Sequence, residues 1–196
     1  TISHWIKFHD VDSTSSQRFW SAGDSGSGDV LKVEYYSGSS TRKLAIIDNN
    51  NASSGIRFTT LQHLRDNVWY HIVFAVDTTQ ATASNRVKIY INGERITEFE
   101  DNSTHNHPPN QNYDTAMNKA SSGLAFGRAY AFGAGSATYA DMQLSQLYLI
   151  DGQQLEPTSF GYTESQSGIW RPKKYTGTYG TNGFYYPLDG SHHITK

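Results

Sequence analysis

The sequence predicts an all-β fold, two sheets packed as a sandwich with a loop-rich aromatic tail, and three observations predict it. Short runs of aromatic and β-branched residues recur between clusters of Gly, Asn, Asp and Ser, the pattern of strands and turns. A stretch near the middle, residues 67–94, holds two such runs and a turn signal. Nothing reads as a helix longer than one turn. Composition leans the same way, with 13 Tyr, 9 Phe, 4 Trp and 17 Gly, a bias toward strands, tight turns and aromatic surfaces.

The middle stretch reads NVWYHIVFAVDTTQATASNRVKIYINGE. In Val87–Ile91, Val87, Ile89 and Ile91 alternate with Lys88 and Tyr90. Side chains alternate across a pleated strand, so one face is expected to be core, and the other, with Asn92, to be wet. In Trp69–Val76 both sets are apolar, Ile72, Phe74 and Val76 against Trp69, Val73 and Ala75, which predicts a central strand covered on both faces. Residues 78–85 are a polar loop without periodicity, and Asn92-Gly93 is a hairpin turn signal.

The other elements follow in order. Residues 1–8 alternate as a strand, 18–22 (RFWSA) form a short one, and 23–29 hold three Gly and two Asp, a turn or a hard-ion loop. Strands are expected at 30–36, 43–47 and 56–60, with a turn cluster at 48–54. Residues 95–100 continue as a strand. Residues 101–118 gather Asn, His, Pro and Gln with almost no hydrophobe except Tyr113, so they read as a long surface loop. Strands at 123–128 and 141–150 flank a Gly/Ala-rich loop, and Asp151-Gly152 is a turn. This divides the chain into a sandwich over 1–155 and a tail over 156–196. The tail carries Trp170, Tyr175, Tyr179, Phe184, Tyr185 and Tyr186; so much aromatic area is costly in water, and it is expected to wrap the sandwich or lead to a further domain.

For 196 residues the scaling laws give about 9,300 Å² exposed when folded against about 32,000 Å² unfolded, enough to bury a core without staples. There is no Cys, which excludes disulfides, thiolate metal sites and thiol chemistry. The net charge of −2 and the lack of a basic run argue against nucleic acid or an anionic membrane as a partner, and no apolar run is long enough for membrane insertion. The chain starts at Thr1 inside a strand-like segment, as expected of a piece trimmed from a longer polypeptide.

Trp69, Tyr70, His71, Ile72, Val73, Asp77 and then Val87 to Gly93 resemble the signature hairpin of laminin-G-like, concanavalin-A-like lectin domains, and TISHWIKF resembles their entry strand. The resemblance implies a two-sheet jelly roll that binds sugars or protein surfaces, often with calcium at the rim. Asp48 with Asn49 and Asn50 resembles the calcium-bearing loop in position; Asp10 with Asp12 and Asp24 with Asp29 are weaker clusters, and turn chemistry explains all three without a metal. Residues 149–185, with Ile-Asp-Gly, Ser-Phe-Gly, Gly-x-Trp-x-Pro-Lys and Tyr-Gly-x-Asn-Gly-Phe-Tyr, resemble a segment found in structural proteins of tailed marine phages. That implies a virion surface or appendage component, such as a tail fibre, adhesin or capsid-surface protein, with a trimer as the family-based oligomer.

Sugar recognition needs aromatic faces with amides and carboxylates beside them. Asn112, Tyr113 and Asp114 on one loop, and Tyr130, Phe132 and Tyr139 on another, supply these types; the same aromatics would equally serve a protein contact. Glycan cleavage needs paired carboxylates about 5–9 Å apart, and Glu94, Glu98 and Glu100 lack the Glu-x-Asp-x-Glu spacing of glucan-cleaving relatives, which leaves a solvated acidic strand face. His105 and His107 lack a third metal ligand, and His71 reads as a core histidine. The function expected is a non-enzymatic virion module that binds host-surface glycans or neighbouring virion proteins. The alternatives are a glycan-cleaving enzyme on the same fold and a free-standing secreted lectin.

Overall fold

The computed structural model describes residues 1–9, 17–23, 30–36, 43–48, 55–100, 106–118, 123–127 and 139–190. Its strands are β1 (Ile2–Phe8), β2 (Gln17–Gly23), β3 (Val30–Tyr36), β4 (Lys43–Asp48), β5 (Arg57–His63), β6 (Trp69–Val76), β7 (Val87–Ile91), β8 (Glu94–Ile96), β9 (Asn106–His107), β10 (Gly123–Phe126), β11 (Met142–Leu149), β12 (Gly161–Thr163), β13 (Trp170–Pro172) and β14 (Phe184–Tyr186). A front sheet runs β14-β11-β1-β6-β7-β8 and a back sheet β10-β2-β3-β4-β5-β9, each of six strands, while β12 and β13 form a separate hairpin. Every strand pairing is antiparallel. The chain is an all-β, two-sheet sandwich.

The core lies between the sheets, where apolar side chains from strands of both meet. Ile2, Ile6 and Phe8 of β1, Ile72 and Phe74 of β6, and Ile89 and Ile91 of β7 meet Phe19 and Trp20 of β2, Leu44 and Ile46 of β4 and Phe58 of β5. Phe8 and Phe19 bring their ring centroids to 4.7 Å, and Trp20 reaches Phe74 at 5.8 Å. The β6–β7 hairpin pairs Ile72 with Ile91 and Val76 with Val87, at the centre of the front sheet. Asn92 and Gly93 then link β7 to β8 with φ of 52° and 85°, the double left-handed turn that the dipeptide favours.

Three expectations need correction. The face of β7 bearing Tyr90 is not wet: Tyr90 is 3% exposed, because Val73, Tyr90, Tyr148 and Ile150 on the outer side of the front sheet pack with Phe160 and Tyr175 in a second apolar cluster. The 78–85 loop is not wholly irregular, since it runs into one helical turn, α1 (Ala83–Arg86). The 101–118 segment is not all surface loop either: Asn106–His107 pairs with β5, and Thr115 and Ala116 are buried. Beyond Ile150, β14 joins the front sheet beside β11, with Leu147 opposite Tyr186 and Leu149 opposite Phe184.

Candidate functional site

One end of the sandwich opens into a cleft of ≈ 910 Å³ whose walls come from three turns. The first follows β6, where the Asp77 carboxylate accepts the Thr79 backbone N–H at 3.1 Å, the Thr79 hydroxyl at 2.6 Å and the Gln80 amide at 2.6 Å, the Asx-type closure of a turn. Arg86, at the end of α1, donates to the carbonyls of Gln80, Ala81 and Pro109. It thereby ties this turn to the second one, residues 110–114. There the Asn112 N–H bonds Thr78 O at 2.8 Å and the Gln111 amide bonds Thr79 O at 2.9 Å, so Tyr113 is held on the cleft wall. The third wall is residues 151–154 with Asn182, whose backbone and side-chain nitrogens both donate to Asp151 Oδ2. Ile2, Phe74, Val76, Met117 and Leu149, from the edge of the core, give the cleft an apolar floor.

The rim is rich in groups that complement hydroxyls. The hydrogen bonds from Thr79 and Gln80 hold the Asp77 carboxyl below the usual carboxylate range, so it stands ionised as an acceptor. A carboxylate accepts at about four positions and the turn uses three, leaving one for a ligand. Thr78, Thr79, Thr115, Gln153 and Asp151 line the same cleft.

Of the residues singled out from the sequence, Tyr113 lines this cleft, and Asn112 and Asp114 stand exposed on either side of it in the chain. Tyr139 is 68% exposed and is not part of the wall. Tyr130 and Phe132 lie outside the described residues, as do Asn49 and Asn50. Asp48 is buried at the end of β4, on the side that Leu44 and Ile46 share, and no group of three or more His, Cys, Asp or Glu suited to a metal occurs among the described residues. Asp77, Thr79, Gln153 and Asn182 were not anticipated. The Asp-Thr-Thr-Gln run directly after a strand was the available signal for the first two.

A second cluster sits on the outer face of the front sheet. His71, 1% exposed, stacks on Trp5 at 5.1 Å and lies edge to edge with Trp170, their centroids 5.9 Å apart, with interplanar angles of 25° and 24°. The Trp170 indole N–H donates to His71 Nδ1 at 2.9 Å, and His71 Nε2 lies 2.9 Å from Ser3 Oγ. An indole nitrogen only donates, so Nδ1 is bare, Nε2 carries the hydrogen, and the ring is neutral. Trp170 fills a slot that only glycines leave open: a Cβ on Gly161 would meet its ring at 2.4 Å and one on Gly93 at 2.6 Å. Nearby, Glu156 accepts from Tyr90 at 2.5 Å and pairs with Lys88 at 3.0 Å. The Tyr90 bond, more than Lys88, holds its carboxyl below the ordinary range.

The acidic residues of 94–100 lie on β8 and just beyond it. Glu94 and Glu98 are exposed, and Glu100 is ion-paired with Lys43 at 2.8 Å. Phe99 between them packs on Phe58 at 4.7 Å, which turns both neighbours outward. His105 lies outside the described residues, and His107 Nδ1 bonds the Gly55 carbonyl at 3.1 Å.

This architecture, two antiparallel six-stranded sheets with a cleft at the rim, is that of a lectin-type β-sandwich. The laminin-G-type model of the concanavalin A-like lectin/glucanases superfamily matches residues 1–148 of the 196, and the chain belongs to that superfamily. Among solved structures it is similar to the native heptameric SAP-like pentraxin of Limulus polyphemus, at 16% identity and a TM-score of 0.43. The match covers 74% of this chain and 60% of the pentraxin, so the chain spans less than two thirds of that protein's length. No curated protein matches the chain. Among the described residues no helix is long and apolar enough to cross a membrane.

Proposed function

We propose that the chain is a saccharide-binding adhesion module that acts without catalysis, and that the rim cleft is its sugar site. The observation that carries this is the cleft itself: ≈ 910 Å³, within the range of ligand sites, with an apolar floor under Tyr113, the Asp77 carboxylate and a ring of hydroxyls and amides. A sugar presents C–H faces and hydroxyls together, and this lining offers a partner to each. The tail's resemblance to phage structural proteins supports a place on the surface or an appendage of a virion. There the module would bind host glycans or neighbouring virion proteins, as one copy of a homotrimer.

A glycan array probed with the purified chain tests the binding. Saturable recognition that weakens in Tyr113→Ala is the expected result, and no binding by the folded wild type overturns it. Labelling intact tailed-phage virions with an antibody to this chain tests the location, and absence of label from purified particles that contain the protein would remove the surface assignment.

A further inference from the structure

The outer face of the front sheet is only half covered. Across β11, β1 and β6, Tyr148, Ser3 and Val73 form one row, Ser145, Trp5 and His71 the next, and Gln143, Lys7 and Trp69 the last. The first row lies under Phe160 and Tyr175, and Trp170 caps His71 in the second. The last row is open, with Trp69 39% exposed, Gln143 exposed and Lys7 half-buried, and Trp5 in the row before it is half-buried too. Trp5 and Trp69, at diagonal positions of β1 and β6, leave apolar surface in water that a contact would cover.

Two features define what the contact would be. Trp5 is immobilised by its stack on His71, which uses the face toward β6. The residue opposite Trp5 on β11 is the small Ser145, and no second ring stacks on Trp5 among the described residues. Beside it, the Lys7 ammonium stands 5.5 Å from the Trp69 ring centroid, a cation–π arrangement, with no carboxylate paired to it among the described residues. A fixed indole face, an ammonium with no carboxylate partner among the described residues and the exposed Gln143 amide together suit a sugar ring that has a C–H face and a negative charge.

We infer that the Trp5–Lys7–Trp69 strip is a second saccharide site that takes a carboxylated pyranose, its ring on the indoles and its carboxylate on Lys7. Along β1, Trp5 lies three residues and Lys7 five residues from Ile2 of the rim cleft, about 10 and 17 Å at the rise of an extended strand. It does not depend on the cleft holding a sugar.

Calorimetric titration of the full chain with three acidic probes, a galacturonate oligomer, an alginate oligomer and an N-acetylneuraminyl oligosaccharide, tests this. The galacturonate methyl ester serves as the neutral control. At least one acid should bind saturably, weaken with added salt and weaken by roughly fivefold in Lys7→Gln, an outward-facing change that leaves the core intact. Trp69→Ala should weaken it further, and Tyr113→Ala should leave it unchanged, which separates this site from the cleft. No saturable binding of any acid overturns the inference, as does equal binding of ester and acid with no effect of Lys7→Gln. Sedimentation that shows self-association abolished by Trp69→Ala, without acid binding, would instead assign the face to a second copy of the chain.

Discussion

Trp170 and His71 are 99 residues apart in sequence and share a hydrogen bond of 2.9 Å that fixes the imidazole as its Nε2–H tautomer. The bond joins the tail to the central strand of the front sheet. Removing the donor while keeping a ring, Trp170→Phe, leaves a buried nitrogen without its partner and should cost about 1–3 kcal/mol. Urea unfolding at pH 7 checks this, and an unchanged midpoint would show that the bond contributes nothing net.

The same site sets a pH dependence. Burial pushes His71 down to about 3, with neighbouring His4 adding to the effect, and pushes His4 itself down to about 4, both from an ordinary 6.5. In the unfolded chain both imidazoles take up protons below about 6.5, whereas in the fold they resist. Their contribution is therefore complete above 6.5 and is lost as pH falls from there toward 3. At pH 5 each should cost about 2 kcal/mol relative to pH 8. Melting temperatures across pH 8 to 4 should fall accordingly, and His71→Gln should flatten part of the slope.

Gly161→Ala should loosen the tail. The added methyl would meet Trp170 at 2.4 Å, in a position where φ is not left-handed, so steric overlap alone acts. The cost expected of such overpacking is about 1–3 kcal/mol. Limited proteolysis should then cut within 151–186 faster than in the wild type, while the 1–150 portion stays protected.

At the rim, Tyr113→Ala should weaken glycan binding by roughly two- to tenfold, the range of one lost ring contact, in a variant that thermal melting shows to be folded at the titration temperature. Asp77→Asn should weaken it as well, because an amide offers the ligand fewer acceptor sites than an ionised carboxylate. Both are read by the same titration.

Glu98→Gln and Glu100→Gln should leave glycan binding unaltered, and incubation of the wild type with polysaccharide should release no reducing ends. Glu100→Gln alone should lower stability slightly, by about 0.5 kcal/mol, through the loss of its partly buried pair with Lys43. Turnover that either change abolishes would assign the chain to the enzymes of its superfamily.

The sandwich was legible because its signals are local. Period-two alternation in 87–91, the double apolar face of 69–76 and the Asn92-Gly93 turn each specify geometry within a few residues, and the β6–β7 pairing follows from them. What covers a face is not local. Tyr90 looked wet beside Lys88 and Asn92 because its cover, Phe160 and Tyr175, is supplied some 70 to 85 residues later. The buried Thr115 and Ala116 were hidden for a related reason: two small residues in a polar run carry no periodicity. Of the rim cleft, Tyr113 was visible as a lone aromatic among amides. Asp77 was visible only as the end of a strand, and Asn182 not at all, since its place opposite Asp151 is set by the path of the tail.

The superfamily match ends at residue 148, yet the backbone of Leu147 to Leu149 is paired with Phe184 to Tyr186. A graft of residues 1–148 into a fusion would therefore carry an unzipped border strand and a bare greasy patch, an invitation to stick to the next copy. The transplantable unit of this protein is longer than the one it shares with its kin.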